Sequence, residues 1–359
     1  MKAVVLVGGK GTRLEPLTLT TPKAMIPVLN VPFMEYVIRN LAGNKISEIV
    51  LAVGHMFQPI SDYLGDGSRF GVKLDYSIED APLGTAGAVK NAEKYLDETF
   101  LVFNGDDFID LNLPAMLAVH KNNKAKVTIA LTRVENPTAF GLVETDANHK
   151  VLRFLEKPKP EEVTTDTINA GAWLVEPEVM SRVPPETQYS FERSVFPDLL
   201  SNHEPVYAYP SRGYWMDAGT PEKYLQLHHD LLSGKSSQYT PPKGVIAGKM
   251  TKIHPTVKIV GKAIIGHECL IGADVKLTGP IVIGDHCAVG ADSLLNGSVV
   301  WDHTILQSGV TVKESIIADH CLIGAGCSLD GAVVGANVTL AANTTLEPGS
   351  KINPNTTIG

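Results

Sequence analysis

From Ile253 onward the chain repeats with a period that neither a helix nor a hairpin sheet accommodates. Ile253, Ile259, Ile265, Ile271, Leu277, Ile283, Val289 and Leu295 fall at strict six-residue intervals. The register slips by one at Val300, continues through Leu306 and Val312, and takes a five-residue step to Ile317 before Ile323 and Leu329. A second five-residue step reaches Val334, followed by Leu340, Leu346, Ile352 and Ile358. An α-helix repeats about every 3.6 residues and a strand about every 2. A coil of three short flat faces, with one inward aliphatic residue on each, does repeat every six, and residues 253–358 then make about six coils. Glycine follows the aliphatic in Ile271-Gly272, Ile283-Gly284, Val289-Gly290 and Ile323-Gly324, where such a chain must turn tightly.

The pattern resembles the hexapeptide repeats of left-handed parallel β-helices, an exception to the right-handed crossover rule. The cysteines fit it. Cys269, Cys287, Cys321 and Cys327 each lie four residues after a repeat aliphatic, in a slot that Val275 and Ser293 also fill. That slot is expected to take a small apolar side chain pointing into a corner. Cys269 and Cys287 should stack on neighbouring coils about 4.8 Å apart. In a reducing compartment, packing rather than a disulfide is the expected role. No Cys-x-x-Cys pair points to zinc.

The first 230 or so residues read differently. Short apolar runs at Ala3–Val7, Glu48–Val53, Phe100–Phe103 and Lys126–Leu131 predict strands, and residues 33–42 and 84–96 follow helical spacing. This alternation predicts an α/β domain with a mostly parallel sheet. A last helix over Pro221–Leu232 places Tyr224, Leu227, His228 and Leu231 on one face. Ser233–Gly244 is polar and carries glycine and proline, as a linker does. The organisation expected is therefore an α/β domain over 1–232, a linker over 233–250 and a β-helix over 251–359.

Net charge is −8, from 31 basic and 39 acidic residues, and neither part of the chain is basic, which argues against a nucleic-acid partner. No apolar run reaches the length of a membrane span, and the run after Met1 stops at Gly8-Gly9, too short for a signal-peptide core. A cytoplasmic protein with no membrane partner is expected.

Chemistry concentrates after the first strand, in Gly8-Gly9-Lys10-Gly11-Thr12-Arg13-Leu14-Glu15-Pro16. Glycines after a strand let backbone N–H groups approach a phosphate. Lys10 is followed by Gly11, so this is not a Walker loop, and a dinucleotide fingerprint would need another glycine where Arg13 stands. An arginine held in a phosphate loop suggests a clamp on a polyphosphate. Thr21-Pro22-Lys23-Ala24-Met25 brings a second cation.

The stretch GGKGTRLEPLTLTTPKAMIPV resembles the signature of the sugar-1-phosphate nucleotidylyltransferases, the NDP-sugar pyrophosphorylases. Later segments agree in order: Glu79-Asp80-Ala81-Pro82-Leu83-Gly84-Thr85-Ala86-Gly87, Asn104-Gly105-Asp106, Glu156-Lys157-Pro158, Asn169-Ala170-Gly171 and Trp215-Met216-Asp217-Ala218-Gly219-Thr220. The resemblance covers about residues 1–232, and a hexapeptide tail is a familiar partner of that head. PLGTAG after an acidic residue, and the overall length, fit the branch that joins GTP to mannose 1-phosphate. The fold implied is a Rossmann-like nucleotidyltransferase domain followed by a left-handed parallel β-helix.

The implied reaction is attack by a sugar-1-phosphate oxygen on the α-phosphorus of a nucleoside triphosphate, with pyrophosphate leaving. The attacking group is already an anion, so catalysis reduces to positioning and charge neutralisation. The resemblance implies that Leu6, Gly8, Gly9, Gly11 and Thr12 line the nucleotide. Arg13 would hold the leaving phosphates and Lys23 would act near the α-phosphate. Asp106 and Asp217 would hold Mg²⁺, which prefers carboxylate and phosphate oxygens. Lys157 would pair with the sugar phosphate, Glu156 and Asn169 would bind sugar hydroxyls, and Gly141 and Gly171 would allow close approach. Asp107, the carboxylate next to Asp106, could assist it or face solvent, and solvent is the reading expected.

In the family the residue before the Pro-x-Gly turn faces the base, here Glu79, with Pro82 and Gly84 lining the pocket. Guanine presents two adjacent donors that one carboxylate can accept, whereas uracil and thymine flank a single N–H with carbonyls. Glu79 therefore favours GTP, although the same carboxylate could instead cap the helix starting near Gly84. Alternatives are the same chemistry with glucose 1-phosphate and UTP or dTTP, a non-catalytic regulatory relative, or a second, acyl-transferring activity in the tail. His254, His267, His286, His303 and His320 lie in that tail, mostly at turn positions. Assembly of copies through the β-helix is the role expected of the tail.

Overall fold

Ala3–Leu6 is apolar without alternation, as a parallel strand covered on both faces must be. It pairs in parallel with Glu48–Val53 on one side and Phe100–Asn104 on the other, and Lys73–Ile78 extends the parallel part. The computed structural model describes residues 1–54 and 56–359. These form two units, one of residues 1–9 and 34–215, the other of residues 10–33 and 216–359.

In the first unit these strands belong to a nine-stranded sheet. Beyond Phe100–Asn104 it turns antiparallel, except that Val206–Pro210 pairs in parallel with Val127–Arg133. Thr167–Val175 runs against both Phe100–Asn104 and Val127–Arg133, and Gly141–Thr145 runs against Val151–Glu156. Residues 146–150 are too short for a crossover, so this last pair can only be antiparallel. Phe100, Trp173, Phe191 and Phe196 fill the core, with the Trp173 ring 5.3 Å from Phe191. The helix expected over 84–96 covers Gly84–Asn91 and gives way to a 3₁₀ turn at Glu93–Tyr95. The Ala92 N–H is shared between the carbonyls of Ala88 and Val89, and the helix tightens there.

In the second unit the helix Pro221–Ser233 begins as its sequence dictates. Thr220 accepts the Lys223 N–H, Pro221 stands at the first turn, and Gly234 ends the helix at φ 82°. Tyr224, Leu227, His228 and Leu231 are all buried. The repeats then form three parallel stacks of seven, seven and five short strands, the arrangement of a left-handed β-helix.

Ile265, Ile283, Val300 and Ile317 stand opposite one another on successive coils, so a coil takes 18 residues and then 17. The shortened steps, Leu295 to Val300, Val312 to Ile317 and Leu329 to Val334, all fall at one corner. There Ser298 Oγ accepts the Ser315 N–H at 3.2 Å and Ser315 Oγ accepts the Ala332 N–H at 2.9 Å. The stack starts earlier than residue 251: Val245–Ala247 already pairs with Ala263–Ile265. Alanine in the inward slot hides that strand from a search for aliphatic residues.

The cysteines are free and buried. The slot takes buried apolar side chains, as at Val275, Val310 and Val338, and also side chains that donate a hydrogen bond. Cys269, Cys287 and Cys321 donate to the carbonyls of Gly284, Trp301 and Gly335 at 3.0–3.2 Å, and Thr304 donates equivalently to Ala318. Burial pushes the Cys321 thiol up to about 11, so it stays protonated and able to donate. Among the described residues no helix is long and apolar enough to cross a membrane.

His228 sets a pH dependence. Its ring lies 4.6 Å from that of Tyr224, and its Nδ1 accepts the Leu29 N–H at 3.4 Å, which requires that nitrogen unprotonated. Burial, aided by the neighbouring His229, pushes His228 from 6.5 down to about 3. The unfolded chain therefore takes the proton first as pH falls. This contribution to stability is complete above about pH 6.5 and is lost as pH falls toward 3. We expect denaturant unfolding of the wild type between pH 7 and pH 4 to lose more stability than His228→Gln loses; parallel curves would remove His228 as the cause.

Candidate active site

Each unit carries part of the set. On the first, the strand Ala3–Leu6 delivers Leu6 and then Gly8 and Gly9, which are exposed. Glu79 follows the strand Lys73–Ile78, its N–H bonded to the Val53 carbonyl at 2.8 Å. A side chain at Gly8 would lie 3.5 Å from Glu79 Oε1, so glycine keeps the carboxylate face open. Burial raises the Glu79 pKa, partly offset by the Leu83 N–H, which Oε2 accepts at 3.0 Å. The capping role open to Glu79 is thus realised at the residue before Gly84, and it engages that one oxygen. Gly84 has φ 71°, and a Cβ there would meet the Tyr189 carbonyl at 2.7 Å. Pro82 is exposed beside it.

Asp106 follows the strand Phe100–Asn104, with the Gly105 N–H bonded to the Leu6 carbonyl at 2.9 Å. Asp107 does not face solvent as expected. It is buried, and its Oδ2 accepts from Asn104 Nδ2 at 3.1 Å. A Cβ at Gly171 would fall 2.0 Å from that same oxygen. The closeness allowed by Gly171 is therefore taken up by Asp107, which only the fold brings to it. Similarly, a Cβ at Gly141 would meet the Phe154 ring at 2.6 Å and Glu156 Oε2 at 3.0 Å.

Glu156 ends the strand Val151–Glu156 opposite Gly141. Burial and the Glu192 charge raise its pKa, while Lys157 and Arg193 lower it. Lys157 is exposed and adopts φ 53°. Asn169 Oδ1 accepts from the Gly171 N–H and from Trp173 Nε1, at 3.0 and 2.7 Å.

The second unit holds the cations and the other acid. Gly11, at φ 66°, precedes the turn Thr12–Leu14, and its carbonyl accepts from Thr18 Oγ1 at 2.8 Å. A side chain at Gly11 would press on Thr18 and on Lys23 Cβ, at 2.8 and 3.2 Å. Thr12 is exposed. Arg13 is largely exposed and reaches Asp217 with an Nη1–Oδ2 separation of 3.4 Å. Lys223, which the sequence reading did not single out, stands 3.7 Å from the same oxygen. Asp217 is buried, and its other oxygen, Oδ1, has no hydrogen-bond partner. A Cβ at Gly219 would lie 2.6 Å from both Arg13 Nη2 and Asp217 Oδ1, so a side chain there would displace one or both. Arg13 and Asp217, 204 residues apart, are thus brought together.

A family model described as "Nucleotidyl transferase" matches residues 2–234, and one described as "GMPPB C-terminal domain" matches residues 243–359. The mannose-1-phosphate guanylyltransferase of Mycobacterium tuberculosis is 38% identical over 280 residues, covering 75% of this chain and 76% of its own. The UTP–glucose-1-phosphate uridylyltransferase of Synechocystis is 35% identical, covering 76% of this chain and 80% of its own. Among solved structures, HddC from Yersinia pseudotuberculosis in complex with GMP-PN is 27% identical with a TM-score of 0.56, covering 64% of this chain and 98% of its own. With the glycine loop, its arginine and the distant aspartate that meets it, these matches establish that the chain is an enzyme belonging to the nucleotidyl transferase family.

Proposed function

We propose that the chain joins GTP to mannose 1-phosphate, giving GDP-mannose and pyrophosphate. The observation that carries this reading is the Arg13–Asp217 pair with a buried carboxylate oxygen left unpartnered beside it. An oxygen of the sugar phosphate attacks the α-phosphorus, and the bond from that phosphorus to the oxygen bridging to the β-phosphate breaks. No proton transfer is needed, because both nucleophile and leaving group are anions at neutral pH. Gly8, Gly9 and Gly11 present backbone N–H groups to the phosphates. Arg13, held at Asp217 by one long contact, turns to the leaving pyrophosphate, and Lys23 offsets charge at the α-phosphate. Lys157 pairs with the sugar phosphate, and Glu156 and the Asn169 amide bind hydroxyls.

Asp217 and Asp106 would hold Mg²⁺. The unpartnered Oδ1 of Asp217 is the kind of oxygen such an ion takes, and magnesium commonly uses only one or two carboxylates with substrate phosphates completing its shell. When bound it would supply charge neutralisation at the phosphates. Arg13→Ala and Asp217→Asn are each expected to lower kcat for pyrophosphate release by about 10²–10³-fold with circular dichroism unchanged. Wild-type turnover in folded Arg13→Ala would refute its role.

The base is assigned to Glu79. Its carboxylate can meet the paired donors of guanine. Glutamine at this position would keep a carbonyl for the Leu83 N–H and lose the match to guanine. Glu79→Gln should therefore weaken use of GTP more than that of UTP; equal losses would count against base contact. A second reading, glucose 1-phosphate with UTP, is favoured by the Synechocystis relative. A grid of four nucleoside triphosphates against mannose and glucose 1-phosphates separates the two.

Assembly of copies would use the β-helix face on which Leu270, Ile305 and Leu322 stand exposed in one column. Leu270→Glu with Ile305→Glu should lower the mass measured by light scattering; an unchanged oligomer would place the contact elsewhere.

A further inference from the structure

Trp301 breaks the β-helix pattern. It occupies the slot just after the inward aliphatic, where neighbouring coils carry Gly266, Gly284, Ala318 and Gly335. The repeat wants a small residue there, since a Cβ at Gly266 or Gly284 would lie 2.2 Å from Asp285 or Asp302. A tryptophan in that column is a departure that coil packing does not ask for. It is nonetheless buried, and its Nε1–H donates to Tyr224 Oη at 3.0 Å. Tyr224 Oη in turn donates to the Pro27 carbonyl. Tyr224 is itself buried, and burial raises its pKa, so the hydroxyl keeps the proton it donates.

Further bonds run the same way. Asn30 Nδ2 donates to the Ile283 carbonyl at 2.7 Å, and the Leu29 N–H reaches His228 Nδ1. Pro27, Leu29 and Asn30 lie on the hairpin directly after the turn Lys23–Met25, in the segment that also carries Gly11 and Arg13. Asp217 lies four residues before the helix bearing Tyr224. Both halves of the Arg13–Asp217 pair therefore belong to segments fastened, through Tyr224 and Asn30, to the β-helix.

We infer that Trp301 and Tyr224 are positioning residues: a buried relay from the β-helix through Tyr224 Oη to the Pro27 carbonyl holds the phosphate-binding segment 10–33 in place. The catalytic consequence rests on the proposed transferase reading; the mechanical one does not. A reaction that works by positioning loses rate when its charged groups wander by fractions of an ångström.

The test is Tyr224→Phe, Trp301→Phe and the double variant in the full-length chain, with Ser315→Ala, which weakens the serine ladder elsewhere on the β-helix, as a stability control. Hydrogen exchange of residues 10–33 is the readout independent of activity. Tyr224→Phe should speed exchange there about tenfold or more, Trp301→Phe less, and Ser315→Ala not at all. The kcat for pyrophosphate release should fall about tenfold in Tyr224→Phe with smaller changes in KM. Adding Trp301→Phe to Tyr224→Phe removes an N–H that the first change orphans, so melting temperature should partly recover while exchange and kcat do not. Unaltered exchange of residues 10–33 in Tyr224→Phe, or kcat recovering together with melting temperature in the double variant, would overturn the relay. If the wild type releases no pyrophosphate from any substrate pair, the transferase reading fails while the exchange experiment still decides the relay.

Discussion

Register between stacked coils governs the second unit. Each inward aliphatic sits on the one beneath it, and each burial is worth about 1.5–3 kcal/mol. A coil can change length only where it leaves that register intact. The three shortened steps share one corner for this reason, and the serines there take over backbone N–H groups as the turn loses a residue. The cysteine slot serves both filling and hydrogen bonding, with valine at 275, 310 and 338 and donors on other coils. A side chain aimed into a corner meets the carbonyls of the next coil, so Cys and Thr interchange there where both can donate.

A stack so regular makes its exceptions informative. Trp301 stands in a column of glycine and alanine, and its indole is satisfied by the phenol of the preceding helix rather than by another coil. That helix has a buried face of unusual chemistry, with Tyr224 and His228 where leucine would serve packing alone. Leaving a phenol and an imidazole unbonded in such a place would cost about 1–3 kcal/mol each. Tyr224 instead bonds the hairpin at 27–30 through its hydroxyl and His228 through Nδ1, while His228 Nε2 stays buried without a partner. Polar groups in this core are thus spent on fixing where a loop lies, which apolar packing specifies poorly.

Much of this was legible in the residues. The six-residue period located the inward positions of the β-helix through Ile358, because aliphatic spacing is the direct imprint of a three-faced coil. The alternating pattern located the parallel strands at 3–6, 48–53 and 100–104. What escaped had a common cause. Val245–Ala247 carries alanine in the inward slot, the antiparallel half of the sheet depends on a short connection, and Asp107 is drawn inward only because Gly171 lacks a side chain. Each is decided by what lies opposite in space, and spacing along one chain carries no record of that.

The glycines around the candidate site make the same point about chemistry. Gly219 yields its space to Arg13 and Asp217, and Gly171 to Asp107. In each case the missing Cβ admits the protein's own charged groups, not a vacant berth for a ligand. A transferase with no nucleophile of its own must hold cations and carboxylates at fixed distances before the substrates arrive, because reorganising them during the reaction would raise the barrier. Glycine at these positions lets those groups come together before any substrate binds. The Asp217 oxygen that remains buried and unbonded is the group that, in the proposed reading, a bound cation would satisfy.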